Sequence, residues 1–286
     1  MLGRENPIIQ STKTLPTPSL KCTPDNDHNV TTNASIITDS PFEELIDQSE
    51  FLPVAFLEEG ATIQKAVARV AIPTNDGIKY GTGFLISPSL FITNNHVLDT
   101  KEAAAATWFQ FNYQVDLNGN PLPVDVFRAD PNFFYTNPKS DLDFTILKLT
   151  KNSASVYPGD KYGFIRLITT PFAKDQLCNI IQHPEHRRKE VVLHENRLTD
   201  IYEKVIRYKT DTQAGSSGSP VFDKKWDLIA LHHAYGEAYS DTYGKIIYVN
   251  NEGIRIDKVI LHLQNNLRII PNGSQILAEL GLANPS

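Results

Sequence analysis

The chain has 286 residues, 41% hydrophobic and 21% charged, with a formal net charge of −6. That length can bury a large core without covalent staples, in one large or two small domains. The acidic balance counts against a nucleic-acid or an anionic-membrane partner, since either requires a basic surface that displaces counterions.

The N-terminus, Met1-Leu-Gly-Arg-Glu-Asn-Pro, lacks the charged and then apolar pattern of a secretory signal, and no apolar run is long enough to span a bilayer. The expectation is a soluble cytoplasmic protein without a membrane partner. Residues 3–40 are dominated by Thr, Ser, Asn, Asp and Pro and bury too little apolar surface to offset their ordering entropy. Residues 1–50 therefore read as a disordered or regulatory arm. Phe42, Leu45, Ile46 and the run Phe51 to Leu57 read as a short docking segment, and Ala61 to Ala68 as a helical turn feeding a first strand, Val67 to Ile72.

From there β-branched and aromatic runs alternate with turn residues. Asn75-Asp76-Gly77 is a hairpin turn. Strands are predicted at Gly83 to Ile86 and Leu90 to Thr93 about Ser87-Pro88-Ser89, then at Trp108 to Val115, Val124 to Phe127 and Phe144 to Leu149. A stretch rich in Ser, Asn, Pro and Gly, Lys151 to Gly159, reads as a linker. It separates a first strand set over 51–155 from a second over 156–286.

The second set is predicted at Cys178 to Gln182, Val191 to Leu193, Val205 to Lys209, Pro220 to Phe222, Leu228 to His233 and Lys245 to Val249. The basic cluster His183 to Glu190 is interrupted by acids and reads as a solvated hairpin loop. Ile256, Val259, Ile260, Leu263 and Leu267 recur at helical spacing and mark one amphipathic C-terminal helix. Many short strands with no long helices between them imply an all-β antiparallel barrel or sandwich. Cys22 and Cys178 are far apart, without metal-ligand spacing, and read as reduced thiols; no metal and no cofactor is expected.

The candidate chemistry centres on Gly215-Ser216-Ser217-Gly218-Ser219-Pro220. A serine nucleophile needs a base, a group that orients the base, and backbone donors for the oxyanion. Ser217 has glycines on both sides, so its own N–H and that of Gly215 could form such a hole. Alone, this stretch is a Ser/Gly turn. His96 in "FITNNHVL" follows a predicted strand, and Asp143 in "SDLDFTILKL" precedes one; each by itself is an ordinary structural residue.

Taken in order, "GTGFLI", "FITNNHVL", "DFTILKL" and "GSSGSPVF" resemble the motifs of chymotrypsin-like serine peptidases, with the bacterial glutamyl endopeptidases the nearest branch. The resemblance implies two antiparallel six-stranded Greek-key barrels with a site in the cleft between them. It makes His96 the general base, Asp143 the orienting carboxylate and Ser217 the nucleophile, in the chain order His, Asp, Ser. Asp143 is preferred to Asp141 because it stands directly before the apolar strand. The implied activity is endopeptidase hydrolysis, with a polypeptide as substrate and partner; the alternative is a catalytically silent or latent binding module of the same fold. A peptidase inside the cell is expected to be controlled by the N-terminal arm or by a regulatory partner.

For the pocket, the glutamyl endopeptidases imply His232 and Thr212 as partners of a substrate carboxylate. Asp211 instead matches the position at which trypsin-like enzymes bind Lys or Arg. The strand with His232 favours cleavage after Glu or Asp. Side chains alternate along that strand, so His232 and His233 are expected on opposite faces.

Overall fold

In a computed structural model of the chain, the described residues are 51–193, 196–240 and 246–283, with 246–248 described in backbone only. The predicted arm over 1–50 lies outside them. The described residues belong to one packed unit.

The architecture is all-β, as expected, and consists of two curled antiparallel sheets of seven strands each. The first contains β1 (Val67–Thr74), β2 (Gly77–Leu85), β3 (Leu90–Thr93), β4 (Trp108–Phe111), β5 (Asp125–Phe127), β6 (Ala129–Asn137) and β7 (Phe144–Leu149), in the order β5-β4-β1-β2-β3-β7-β6. The second contains β8 (Cys178–Gln182), β9 (Glu190–Val192), β10 (Leu198–Ile201), β11 (Val205–Tyr208), β12 (Pro220–Asp223), β13 (Leu228–Tyr235) and β16 (Asn251–Arg255), in the order β10-β11-β16-β13-β12-β8-β9. A separate ribbon pairs β14 (Ala238–Ser240) with β15 (Ile246–Tyr248).

Each sheet holds one strand more than the six expected. The additions include edge strands whose sequences lack a regular apolar alternation: β6, Ala-Asp-Pro-Asn-Phe-Phe-Tyr-Thr-Asn, pairs with β7 only through a register shift. The predicted hairpin at Asn75-Asp76 is a two-residue turn, with Thr74 opposite Gly77.

Two helices follow the second sheet rather than one. In α4 (Ile256–Asn266) the residues Ile256, Val259, Ile260 and Leu263 are buried, which is the predicted stripe. The additional α5 (Gly273–Glu279) ends on a carboxylate, Glu279, that accepts from both serine hydroxyls of the Ser87-Pro88-Ser89 turn at 2.6 Å. Near the start of the unit, α1 (Ala55–Ile63) stacks Phe56 on Trp226 at 4.8 Å, and the indole N–H donates to the Phe56 carbonyl. The Ala-rich segment after His96 forms α2 (Lys101–Ala106), and α3 (Pro158–Tyr162) falls at the end of the predicted linker.

The larger apolar cluster runs from Phe84, Phe91 and Phe109 of the first sheet to Leu231 and Ile254 of the second and Val259 on α4. Cys178, Ile180, Leu198, Ile206, Tyr208, Val221, Ile229 and Ala230 fill the interior of the second sheet. The basic stretch 183–190 is only partly the solvated loop expected. Glu185 to Arg187 are exposed, but His183 is fully buried and the Lys189 ammonium donates to the Gln64 carbonyl at 2.6 Å. Burial makes that ammonium harder to keep charged and lowers its pKa to about 7.

Candidate active site

His96 lies on the turn that leaves β3, and Asp143 on the residue that enters β7. Because β3 and β7 pair side by side, with Thr93 opposite Thr145, the two turns meet at the same end of the sheet. Asp143 takes a left-handed backbone, φ 41°, which an Asp tolerates better than most residues. The turn is held by its N–H donating to the Pro138 carbonyl at 3.1 Å and by Asn94 donating to the Asp143 carbonyl at 3.0 Å.

The carboxylate is wholly buried and faces His96. Its Oδ1 accepts from the His96 backbone N–H at 3.0 Å and its Oδ2 lies 2.7 Å from His96 Nδ1. Burial alone would raise its pKa, but hydrogen bonds from His233 and His96 overcome that and hold it at about 2. An ionised Asp143 fixes the His96 proton on Nδ1 and leaves Nε2 as the free base.

The serine turn belongs to the other sheet, immediately before β12. Gly215 and Gly218 both have positive φ, 98° and 88°. A Cβ at Gly215 would lie 2.7 Å from the His183 carbonyl, and one at Gly218 would lie 1.9 Å from that of Thr82. Both positions therefore require glycine. The Ser217 carbonyl accepts from the Thr82 N–H at 2.9 Å, and the Thr82 hydroxyl donates to the Gly215 carbonyl at 2.8 Å, so β2 of the first sheet anchors the turn. The Ala214 carbonyl is drawn away by the Glu185 N–H at 2.5 Å.

Among the described residues, the N–H groups of Gly215 and Ser217 and the Ser217 hydroxyl make no hydrogen bond. Ser216 and Ser219 are buried, and Ser216 Oγ accepts from Gln213 N at 3.2 Å. Ser217 is the least buried of the three.

Ser217 opens onto a cleft of about 970 Å³ whose walls also include Asp211, Thr212, His232 and His233. All the pocket residues predicted from the sequence are thus brought together. The Thr212 hydroxyl donates to Asn251 Oδ1 at 2.7 Å, whereas Asp211 is exposed at the rim and its carbonyl accepts from Gln182. His232 is 4% exposed, and its Nδ1 lies 2.8 Å from the Tyr208 hydroxyl. Burial, reinforced by the neighbouring His233 and His96, lowers its pKa to about 3. The Tyr208 phenol is itself pushed well above its ordinary value by burial. Tyr208 therefore keeps its proton and donates it to Nδ1, and the ring carries its own proton on Nε2.

Strict alternation on β13 fails. A register shift between His232 and Ala234 makes His233 the extra residue of a bulge, and both histidines line the cleft. His233 Nδ1 lies 3.0 Å from Asp143 Oδ2, and its Nε2 lies 3.1 Å from Glu252 Oε1. Neither His233 nor Glu252 stands out in the sequence, and nor does Thr82, which lies inside the "GTGFLI" motif. No cluster of His, Cys, Asp and Glu suited to a metal occurs among the described residues.

A family model described as a trypsin-like peptidase domain matches residues 81–231, a span that holds His96, Asp143 and Ser217 and stops one residue before His232. An uncharacterized protein, y4fB, of Sinorhizobium fredii is 32% identical over 262 residues, covering 79% of this chain and 40% of that protein. The chain therefore spans less than half the length of that relative. A glutamyl endopeptidase of Staphylococcus epidermidis is 24% identical over 224 residues, covering 71% of this chain and 67% of that one. Among solved structures, a serine endoprotease from Yersinia pestis superposes with a TM-score of 0.52 at 14% identity, over 77% of this chain and 69% of that one.

Proposed function

The chain belongs to the trypsin-like peptidase family, and from that premise we propose that it is a serine endopeptidase acting through an acyl-enzyme. The observation that carries this reading is the 2.7 Å contact between His96 and the wholly buried Asp143, whose carboxylate also meets His233, a wall residue of the cleft onto which Ser217 opens. In the proposed mechanism Ser217 Oγ attacks the scissile carbonyl while His96 Nε2 takes its proton, and the imidazolium formed is stabilised by Asp143. The tetrahedral oxyanion is received by the N–H groups of Gly215 and Ser217, both free of internal partners among the described residues. The proton then passes from His96 to the departing amine, and water, activated by the same imidazole, hydrolyses the ester.

The favoured specificity is cleavage after Glu or Asp. His232 presents an Nε2 donor to the cleft, and a carboxylate held there raises the affinity of the ring for a second proton, which turns the contact into an ion pair. The exposure of Asp211 at the rim also supports this choice, because a pocket for Lys or Arg calls for a carboxylate at its floor.

The reading is tested with a fluorophosphonate probe and a panel of peptides that differ only at the residue before the cut. The expected result is labelling at Ser217 and turnover of the Glu and Asp peptides. An unlabelled Ser217 in folded protein overturns the peptidase mechanism. Turnover confined to Arg or Lys overturns the specificity alone.

A further inference from the structure

Behind Asp143 the structure holds a second histidine in an arrangement that the triad does not require. His233 is 13% exposed in its side chain and touches two carboxylates at once: Asp143 Oδ2 through Nδ1 at 3.0 Å and Glu252 Oε1 through Nε2 at 3.1 Å. An ionised carboxylate only accepts hydrogen bonds, and a neutral imidazole has only one N–H. Both contacts are made together only if both ring nitrogens carry protons.

The alternative, a proton on one of the carboxyls, is opposed on each side. Glu252 Oε2 accepts from Arg207 Nε at 3.0 Å, and Arg207 is further paired with Glu237. Asp143 has two further donors from His96. The groups facing His233 are therefore Asp143 from the turn before β7, Glu252 from β16, His96 from the turn after β3 and its strand neighbour His232, with Arg207 on β11 behind Glu252. The bonds from Asp143 and Glu252 outweigh burial and raise the pKa of His233, while Glu252 is lowered first by its bond to His233.

Resting on the peptidase reading above, we propose that His233 is a positioning residue, an imidazolium clamped between Asp143 and Glu252 that holds the orienting carboxylate in place and switches activity off when it loses its proton as pH rises. The bulge that makes His233 an extra residue is what brings it to Asp143. With His233 cationic, Asp143 Oδ2 holds a second donor beside His96 Nδ1, which secures the carboxylate in its orientation toward His96. With His233 neutral, only one of the two bonds survives, and a ring lone pair faces the other carboxylate. The consequence is a falling alkaline limb in kcat, with KM little changed, because Asp143 does not touch substrate.

The test compares pH–rate profiles of the full chain and three variants, alongside an NMR titration of the His233 ring in the Ser217→Ala chain. The wild type is expected to show an alkaline limb that coincides with the His233 titration, above the ordinary histidine value of about 6.5. His233→Asn keeps a donor for Asp143 without a titratable charge; it should retain kcat within about tenfold and lose the limb. Glu252→Gln should move both the limb and the NMR titration to lower pH, and His233→Ala should lower kcat by about 10- to 100-fold.

A His233 that titrates at or below about 6.5, or an alkaline limb unchanged in His233→Asn, overturns the proposal. A purely packing role would lower kcat in His233→Ala without removing the limb in the Asn variant. A wild-type chain with no peptidase activity overturns the peptidase reading instead, and the NMR titration still decides whether His233 is the clamped cation.

Discussion

Asp143→Asn removes one charge at nearly constant shape, and the structure sets the size of two separate effects. The carboxyl lies at about 2 in the folded chain against an ordinary value of 3.8. At about 1.4 kcal/mol per unit, the ionised form contributes about 2.5 kcal/mol to stability. Because the folded value is depressed, that contribution is complete above the unfolded value and is lost as pH falls from about 4 through about 2. An amide nitrogen in place of Oδ2 would also aim a donor at His96 Nδ1 and His233 Nδ1. The His96 proton then moves to Nε2, where the ring can no longer accept from Ser217, and kcat should fall by about 10⁴-fold. Urea unfolding of both chains from about pH 6 to about pH 3, with peptide turnover at neutral pH, reads both effects. The expected result is a stability gap of about 2.5 kcal/mol at the higher pH that narrows on acidification. A gap independent of pH would refute the electrostatic argument, and an unimpaired kcat would refute the assignment of Asp143.

Other outcomes follow from neighbouring parts of the site. Ser217→Ala should lower kcat by about 10⁵- to 10⁶-fold, with far smaller losses for Ser216→Ala and Ser219→Ala; the opposite ranking in turnover assays would assign the nucleophile elsewhere. The Ser219 hydroxyl is buried without a partner among the described residues, so Ser219→Ala should leave thermal stability unchanged or slightly raised, and a clear loss on melting would contradict that. Gly218→Ala introduces a Cβ 1.9 Å from the Thr82 carbonyl at a φ of 88°, and should cost at least about 2 kcal/mol in denaturant titrations; a loss below about 0.5 kcal/mol would show that the turn relaxes. Burial pushes the Cys178 thiol up to about 12, so it should resist alkylation in folded protein at mildly alkaline pH, and rapid labelling of its peptide by mass spectrometry would refute its enclosure.

The all-β class was legible because Val67–Thr74, Leu90–Thr93, Phe144–Leu149 and Cys178–Gln182 are dense in β-branched and aromatic residues, and local composition alone marks such runs. The amphipathic α4 was legible for the same kind of reason, a period of 3.6 in its apolar residues. The strand Asn251–Arg255 was not, because Asn-Glu-Gly-Ile-Arg owes its place to β13 and β11 on either side. The candidates His96, Asp143 and Ser217 could be named only because four short motifs, in order, resemble those of a known peptidase family; the strand end or glycine turn around each is by itself ordinary.

Local preference along the chain was thus enough to mark the strong strands and the amphipathic helix, while the candidate site residues came from the family resemblance of four motifs in order. It could not reveal that Asp143 is shared by two imidazoles, that Glu252 stands behind His233, or that Thr82 joins the serine turn to the other sheet; those contacts exist only once the chain has folded. The bulge on β13 is the cause for His233. One extra residue turns it out of the alternation that strand periodicity predicts, and its contacts come from residues 90 positions earlier and 19 positions later in the chain.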